Sequence, residues 1–276
     1  MQFRWTSSLT VATLAGALAL SPVWAQKSAP DKPSYEPTVG QPGKDVVWVP
    51  TSQALVDRML DMAKLTPADQ LVDLGSGDGR TVITAAKRGA AARGIEFNPE
   101  LVALSRRHAQ AEGVAKKATF EHGDIFKSNF RNATVVTMFL LPELNARLKP
   151  VLLDMKPGTR VVTNSFLMGD WEADQTDRVT SGDCSSFCDA YLWIVPAKVA
   201  GTWRLNGGDS LQLEQTNQKL AGTLRAAGDA KPISDAKMDG VNIRFNVGPD
   251  LYQGVVNGKK ITGQVNGDKA WTAQRS

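Results

Sequence analysis

The stretch Leu71-Val72-Asp73-Leu74-Gly75-Ser76-Gly77-Asp78-Gly79-Arg80 predicts a buried strand that breaks into a glycine-rich turn and then enters a helix. The apolar residues at 71, 72 and 74 are typical of the strand, and the apolar and alanine residues over 82–86 are typical of the helix. Glycines remove Cβ atoms where the backbone turns sharply and where a ligand must come close. The stretch therefore predicts a ligand site at the carboxyl end of the first strand.

The spacing of the glycines does not fit a dinucleotide cradle. In the fingerprint G-x-G-x-x-G counted from Gly75, the third glycine would fall on Arg80. The strand also contains an acid, Asp73, which disfavours a pyrophosphate but can accept an ammonium group. The turn thus indicates a ligand that carries a positive charge.

Two further acids follow the next predicted strands. Glu96 lies 23 positions after Asp73 (96 − 73), and an acid about 20 residues downstream binds a ribose diol in doubly wound sheets. Asp124 follows the third strand, where it can meet an adenine amino group. Three acids at successive strand ends, beside a glycine turn, describe a pocket for S-adenosylmethionine. The alternative is a plain α/β turn with scattered surface acids.

Strands and helices alternate along the middle of the chain. Further strands are predicted over 93–96, 118–121, 133–140, 160–164 and 191–195, with helices over 55–63, 99–113 and 144–152 between or before them. This alternation predicts a mostly parallel sheet covered on both faces, with ligands beyond the carboxyl ends of its strands.

From residue 200 onward, strand-like segments recur between glycine or asparagine turns. Asn257-Gly258 and Asn266-Gly267 are hairpin signals. Strands are predicted over 202–205, 210–214, 219–224, 241–247, 251–256, 259–265 and 270–274. The pattern predicts a small antiparallel β domain, either a barrel or a curled meander.

The first 25 residues are typical of a secretory signal peptide. Arg4 supplies the positive end, residues 9–20 form an apolar run, and Val23-Trp24-Ala25 offers a cleavage site. We expect cleavage after Ala25 and a periplasmic or secreted product without a stable membrane span, the alternative being an anchor formed by the uncleaved signal. Residues 26–46, rich in Pro, Lys, Ser and Gly, are expected to be a disordered linker.

Cys184 and Cys188 are the only cysteines of the sequence. Two ligands do not make a zinc site. In an oxidising compartment, a local disulfide that closes a loop before the last strand of the sheet is the plain interpretation.

With these residues placed, the chain from about 47 to 197 resembles a class I S-adenosylmethionine-dependent methyltransferase. It resembles most the family of mitochondrial lysine methyltransferases that act on the ATP-synthase c-subunit and the adenine nucleotide translocator, with their bacterial relatives. The shared phrases are Val49-Pro50-Thr51, the glycine phrase 73–80, Gly94-Ile95-Glu96, Gly123-Asp124 and Leu140-Leu141-Pro142-Glu143-Leu144. The resemblance implies a Rossmann-like, seven-stranded methyltransferase sheet with an antiparallel last strand, in a domain that we place over 47–198. The β domain predicted from the hairpin signals then covers 199–276.

The same resemblance implies a set of cofactor-binding residues. They are Pro50, Thr51, Asp73, Gly75, Ser76, Gly77, Gly79, Glu96 and Asp124. Asp73, Gly75 and Gly77 would hold the methionine part of S-adenosylmethionine. Glu96 would take the ribose hydroxyls and Asp124 the adenine side, and the first two residues of the set would line a lid.

The methyl acceptor is less constrained by the sequence. Methyl transfer from an activated donor mainly requires positioning, and a lysine amine must also lose its proton, which a low-polarity channel favours. Amino-group methyltransferases of this fold often carry an Asn/Asp-Pro-Pro-aromatic motif after the fourth strand, whereas residues 139–143 read Phe-Leu-Leu-Pro-Glu. Glu143 and Asn164 are the candidates for a polar contact to the acceptor, although Glu143 can instead complement the dipole of its helix.

Three functions are compatible with these patterns. The first is methylation of a protein lysine, and the second is methylation of a small molecule in the same pocket. The third is a non-catalytic nucleoside-binding envelope protein that engages a partner through its β domain. The intact cofactor positions favour the first two. The chain has 32 basic and 28 acidic residues, a net charge of +4, which is not the excess of basic residues that is typical of a nucleic-acid-binding protein.

Overall fold

The computed structural model describes residues 1–3 and 35–276, and residues 35–276 form one compact unit. The expected signal peptide and the first part of the expected linker lie outside the described residues, apart from residues 1–3. The end of that linker differs from the expectation. Gly40 N donates to Trp48 O at 2.8 Å and Gly43 N donates to Val46 O at 2.9 Å, so residues 40–48 form a hydrogen-bonded loop.

A seven-stranded sheet forms the first part of this unit. Its strands are β1 (Gln70–Leu74), β2 (Ala91–Glu96), β3 (Ala118–His122), β4 (Val135–Met138), β5 (Arg160–Asn164), β6 (Gln175–Arg178) and β7 (Asp189–Ile194). Their order is β3-β2-β1-β4-β5-β7-β6. Strands β1 to β5 run parallel to one another, and β7 runs antiparallel to both β5 and β6. The predicted methyltransferase sheet with an antiparallel last strand is therefore confirmed, and β6, a polar edge strand, was not predicted.

The described residues of this part contain four helices: α1 (Gln53–Met62), α2 (Arg80–Lys87), α3 (Pro99–Ala111) and α4 (Pro142–Leu153). Ser52 caps α1, since its side chain accepts from Leu55 N, and Asn98 caps α3 ahead of Pro99. None of the helices described between residues 35 and 276 has the length and apolarity needed to cross a bilayer.

The central strand β1 is buried on both faces. Leu71 packs into a core cluster with residues of α1 and α2, whereas Val72 and Leu74 pack into a second cluster with residues of α4. This is the environment expected for a central parallel strand, because helices cover both faces of such a sheet. It fixes the glycine turn that follows β1 at the carboxyl edge of the sheet.

The second part of the unit is an antiparallel β-barrel. Its strands are β8 (Gly201–Leu205), β9 (Ser210–Thr216), β10 (Lys219–Ala226), β11 (Asp229–Pro232), β12 (Ser234–Asp239), β13 (Asn242–Val247), β14 (Asp250–Asn257), β15 (Lys260–Val265) and β16 (Lys269–Arg275). Eight of them close a ring, and β11 pairs with β10 outside it. The predicted antiparallel β domain is confirmed, and of its two predicted forms, a barrel or a curled meander, the structure shows the barrel. Strands β11 and β12 were missed because their residues are mostly exposed and polar.

The barrel packs at the amino end of β5. Gly158 lies just before this strand, and a Cβ on Gly240 would be 3.2 Å from its Cα. Gln218 Nε2 donates to Glu172 O at 2.7 Å, and Asn217 Nδ2 donates to Asp170 O at 3.2 Å. Because β5 and β1 point the same way in the sheet, these contacts with Gly158 lie at the end opposite the glycine turn.

Candidate functional site

A cleft of about 1040 Å³, counting the space open to solvent, lies at the carboxyl ends of β1, β2 and β4. Eight of the nine predicted cofactor residues line it: Pro50, Thr51, Asp73, Gly75, Ser76, Gly77, Glu96 and Asp124. The ninth, Gly79, does not. The structure thus brings together residues that are up to 74 positions apart in the sequence (124 − 50).

The three positions of the turn require glycine for two different structural reasons. Gly75 and Gly77 adopt φ of +78° and +54°, and a Cβ on Gly77 would lie 2.7 Å from Trp48 Nε1, within the lining of the cleft. A Cβ on Gly79 would instead lie 2.7 Å from the Phe120 ring, so this glycine lets α2 pack against its neighbours. Gly79 contributes to the fold of the site without lining the cleft.

Asp73 is a buried carboxylate, with 6% of its surface exposed. Its Oδ1 accepts a hydrogen bond from Thr137 Oγ1 at 2.7 Å, and no lysine or arginine among the described residues forms an ion pair with it. Burial raises the pKa of Asp73 to about 7, Thr137 opposes the rise, and the charges of Glu96 and Asp78 add to it. An ammonium group in the cleft would supply the missing counter-charge.

Glu96 ties the end of β2 to the glycine turn. Its Oε2 accepts from Gly77 N at 2.9 Å and its Oε1 accepts from Asn98 N at 2.9 Å. The carboxylate therefore orients the turn as well as lining the cleft, a role that the sequence did not reveal. The buried Ser76 Oγ has no hydrogen-bond partner among the described residues, and it packs against Gly94 of β2, where a Cβ would clash with it.

Asp124 lies on the far side of the cleft and is paired with a lysine. Its Oδ2 is 2.8 Å from Lys44 Nζ, and its Oδ1 accepts from Phe126 N at 3.0 Å. Both bonds lower the pKa of Asp124, and the bond from Lys44 has the larger effect. Lys44 also lies 4.8 Å from the centre of the Phe97 ring. The loop over residues 41–49 thus covers part of the cleft. The sequence analysis placed residues 41–46 of this loop in the linker and marked only its end, through the phrase that begins at Val49.

Asn164 and Glu143, the two predicted acceptor contacts, occupy different environments. Asn164 is fully buried and its Nδ2 donates to Thr51 Oγ1 at 3.1 Å, while its Oδ1 has no partner in the part of the chain that the structure describes. Glu143 is exposed in the first turn of α4 and lines no part of the cleft. Asn164 therefore touches the site through Thr51, and the position of Glu143 suits the helix dipole.

Comparison with known proteins places this arrangement in a family. The ANTKMT methyltransferase domain model matches residues 73–175. A protein-lysine N-methyltransferase of Saccharolobus islandicus is 39% identical over 153 residues, which cover 54% of this chain and 94% of that protein. The chain belongs to the ANTKMT methyltransferase family. The resemblance inferred from the sequence is thereby confirmed.

Two further proteins are similar to this ANTKMT-family protein over about half of its chain. An adenine nucleotide translocase lysine N-methyltransferase of Mus musculus is 33% identical over 164 residues, which are 55% of this chain and 71% of that protein. A crystal structure of an RNA methyltransferase from Salinibacter ruber, in complex with S-adenosyl-L-homocysteine, has a TM-score of 0.51 and 42% identity, over 55% of this chain and 96% of that one.

The cofactor of this ANTKMT-family enzyme is S-adenosylmethionine, and the residues of the cleft fit it. The turn at Gly75 and Gly77 keeps the backbone free of Cβ atoms, and Asp73 is buried without a cationic partner among the described residues. These features match a ligand with an ammonium group and several hydrogen-bonding atoms. The expected class of protein, an S-adenosylmethionine-dependent methyltransferase, is confirmed.

Proposed function

We propose that the protein transfers a methyl group to the ε-amine of a lysine in another protein. The observation that carries this proposal is a second, largely apolar cavity that shares Phe139 and Leu140 with the cofactor cleft. A lysine amine reacts in its neutral form, and low polarity lowers the pKa of an amine. The 39% identical relative named as a protein-lysine N-methyltransferase supports the same acceptor.

In this proposal, the chain positions two reactants. Asp73 would hold the ammonium of the cofactor, the turn at Gly75 and Gly77 would let it approach the backbone, and Glu96 would keep that turn in place. When bound, S-adenosylmethionine supplies a methyl group on its sulfonium, and the amine lone pair forms the N–C bond as the C–S electron pair stays on sulfur. The proton of the product ammonium is released to water. Thr51 and Asn164 would support the entrance of the cleft through their hydrogen bond.

The decisive test identifies the chemical class of the labelled product. The protein is incubated with a methyl-labelled donor and an envelope extract, and the product is divided between protease and ribonuclease. Loss of the label on protease treatment, with methyl-lysine in the hydrolysate, supports the proposal. Label that ribonuclease removes, or label in small molecules, refutes it.

A matched pair of variants controls this assay. Gly75→Val is expected to abolish labelling, because Gly75 has a φ of +78° and its Cβ would lie 3.2 Å from Leu140 Cδ2. Val255→Ala, on the exposed face of the barrel, should label as the wild type does.

We further propose that the protein is exported. The signal-like residues 1–25 support this, and so does the disulfide between Cys184 and Cys188, since such bonds persist in oxidising compartments. N-terminal sequencing of protein from the periplasm or medium should begin at Gln26. A full-length chain in the membrane fraction would favour an uncleaved anchor, and a full-length chain in the cytosol would refute export.

A further inference from the structure

We infer that the second cavity binds the aliphatic stem of the acceptor lysine against a wall formed by Phe139, Phe166 and Phe187, and that the disulfide holds Phe187 in this wall. The inference rests on the proposed function and deepens it. We call these three residues the phenylalanine wall. They come from three separate places in the chain: the end of β4, the end of β5 and the start of β7.

The three rings form one continuous apolar surface. Their centroids are 5.9 Å apart for Phe139 and Phe166, 5.3 Å for Phe139 and Phe187, and 6.0 Å for Phe166 and Phe187. Phe139 also lines the cofactor cleft, so the wall begins where the methyl group must be delivered. A chain lying along it would reach the cofactor directly.

The lining favours an alkyl chain over a nucleobase. Among the described residues that line the second cavity, Lys44 and Asp45 carry the only polar side chains, and the others are apolar or glycine. A base held for methylation needs hydrogen bonds along its edge. A lysine stem needs apolar contact and brings a single polar atom.

Exposed apolar residues surround the entrance of this cavity. Val47, Leu141 and Phe187 line it and are 55%, 41% and 44% exposed, and Leu167, beside Phe166, is 49% exposed. Single exposed apolar residues are common, but a group of them around a cavity mouth is typical of a protein-binding surface. We therefore assign the entrance to a lysine flanked by apolar residues.

The disulfide positions Phe187. This residue lies between Cys184 and Cys188 and adopts a φ of +55°, a conformation that bulky side chains adopt only when their surroundings impose it. The same loop is tied to the start of α1, because Asp183 accepts from Gln53 N at 2.7 Å and from Ala54 N at 3.0 Å. Opening the disulfide would release the ring from the wall.

The test uses a probe that spans both cavities. It is a nitrogen analogue of S-adenosylmethionine whose methyl group is replaced by a four-carbon aminoalkyl chain, and its affinity is compared with that of S-adenosylhomocysteine by calorimetry. The wild type should bind the analogue at least tenfold more tightly than S-adenosylhomocysteine. Phe187→Ala should reduce the affinity for the analogue about tenfold, which is about 1.4 kcal/mol or roughly two methylenes losing contact.

The controls separate the possible failures. S-adenosylhomocysteine should bind Phe187→Ala, Phe166→Ala and the double variant Cys184→Ser, Cys188→Ser as it binds the wild type, which shows that each has folded. The double variant should lose analogue affinity as Phe187→Ala does, and Val255→Ala should lose none. An analogue that the wild type binds no better than S-adenosylhomocysteine refutes the lysine acceptor itself. An analogue bound tightly by the wild type and equally by the phenylalanine variants refutes only the assignment of this cavity.

Discussion

Replacing Asp73 by asparagine should change stability and cofactor affinity in opposite directions. The carboxylate is buried, accepts one hydrogen bond from Thr137, and has no cationic partner among the described residues. Asparagine keeps the shape and can still accept that bond through its own oxygen. The substitution therefore removes the charge and little else.

The pKa shift sets the size and the pH range of the effect. Burial raises the pKa of Asp73 from 3.8 to about 7, which is roughly three units at about 1.36 kcal/mol each. The folded state thus holds the proton more tightly than the unfolded chain. The charge costs the folded state nothing below pH 4, its cost grows between pH 4 and pH 7, and above pH 7 it reaches about 4 kcal/mol at most.

Urea unfolding of the ligand-free protein at pH 4, 6 and 8 measures this cost. Asp73→Asn should be as stable as the wild type at pH 4 and more stable at pH 8, by up to about 4 kcal/mol. Equal stability at both pH values, or a variant that is less stable at pH 8, would contradict the buried, unpaired carboxylate.

Calorimetry on the same samples measures the predicted loss of cofactor affinity. S-adenosylmethionine should bind the variant more weakly by about 1.5–3 kcal/mol, the range for hydrogen bonds to charged groups. The affinity of the wild type should rise between pH 6 and pH 8 as Asp73 ionises, and the variant should lack this rise. Unchanged affinity would remove Asp73 from the recognition of the ammonium.

Three further substitutions test other parts of the structure. Glu96→Ala should weaken cofactor binding by ~1–3 kcal/mol in calorimetry, since two backbone N–H groups lose their acceptor, and a loss below a few tenths would exclude this role. Lys44→Met should speed release of S-adenosylhomocysteine in stopped-flow experiments but cost little affinity, because its pair with Asp124 is exposed to solvent; a large loss of affinity would show that the loop itself binds the cofactor. Gly240→Val should lower the free energy of unfolding by about 1–3 kcal/mol with unchanged cofactor affinity, because Gly240 has a φ of +57° and its Cβ would lie 3.2 Å from Gly158 Cα.

Local sequence patterns predicted the parts of the site that one segment builds. The strand and turn over 71–80 carry their own signals, because a buried strand is apolar and a turn with positive φ requires glycine. The parallel order of the strands then brings Glu96 and Asp124 to the same edge. This is why eight predicted residues share one cleft.

Local sequence patterns could not predict the contacts between segments that are distant in the chain. Residues 41–46 were predicted to be part of the linker, because their order depends on packing across the cleft, as in the pair of Lys44 with Asp124. The phenylalanine wall likewise combines rings from three loops, and no spacing in the sequence relates them. The sequence marked the two cysteines but gave no reason to connect their loop with the acceptor.

The three acids of the cleft show most clearly where sequence patterns stop. All three lie at or just beyond the ends of neighbouring strands, and the sequence assigns each a part of the cofactor but not its partners in the fold. In the structure, Asp124 is paired with Lys44, Glu96 accepts two backbone N–H groups, and Asp73 alone is buried without a cation. Only an unpaired carboxylate gains a counter-charge when an ammonium binds, whereas Asp124 would have to exchange one partner for another. We therefore propose that Asp73 selects the positively charged ligand electrostatically and that the other two acids shape the cleft around it.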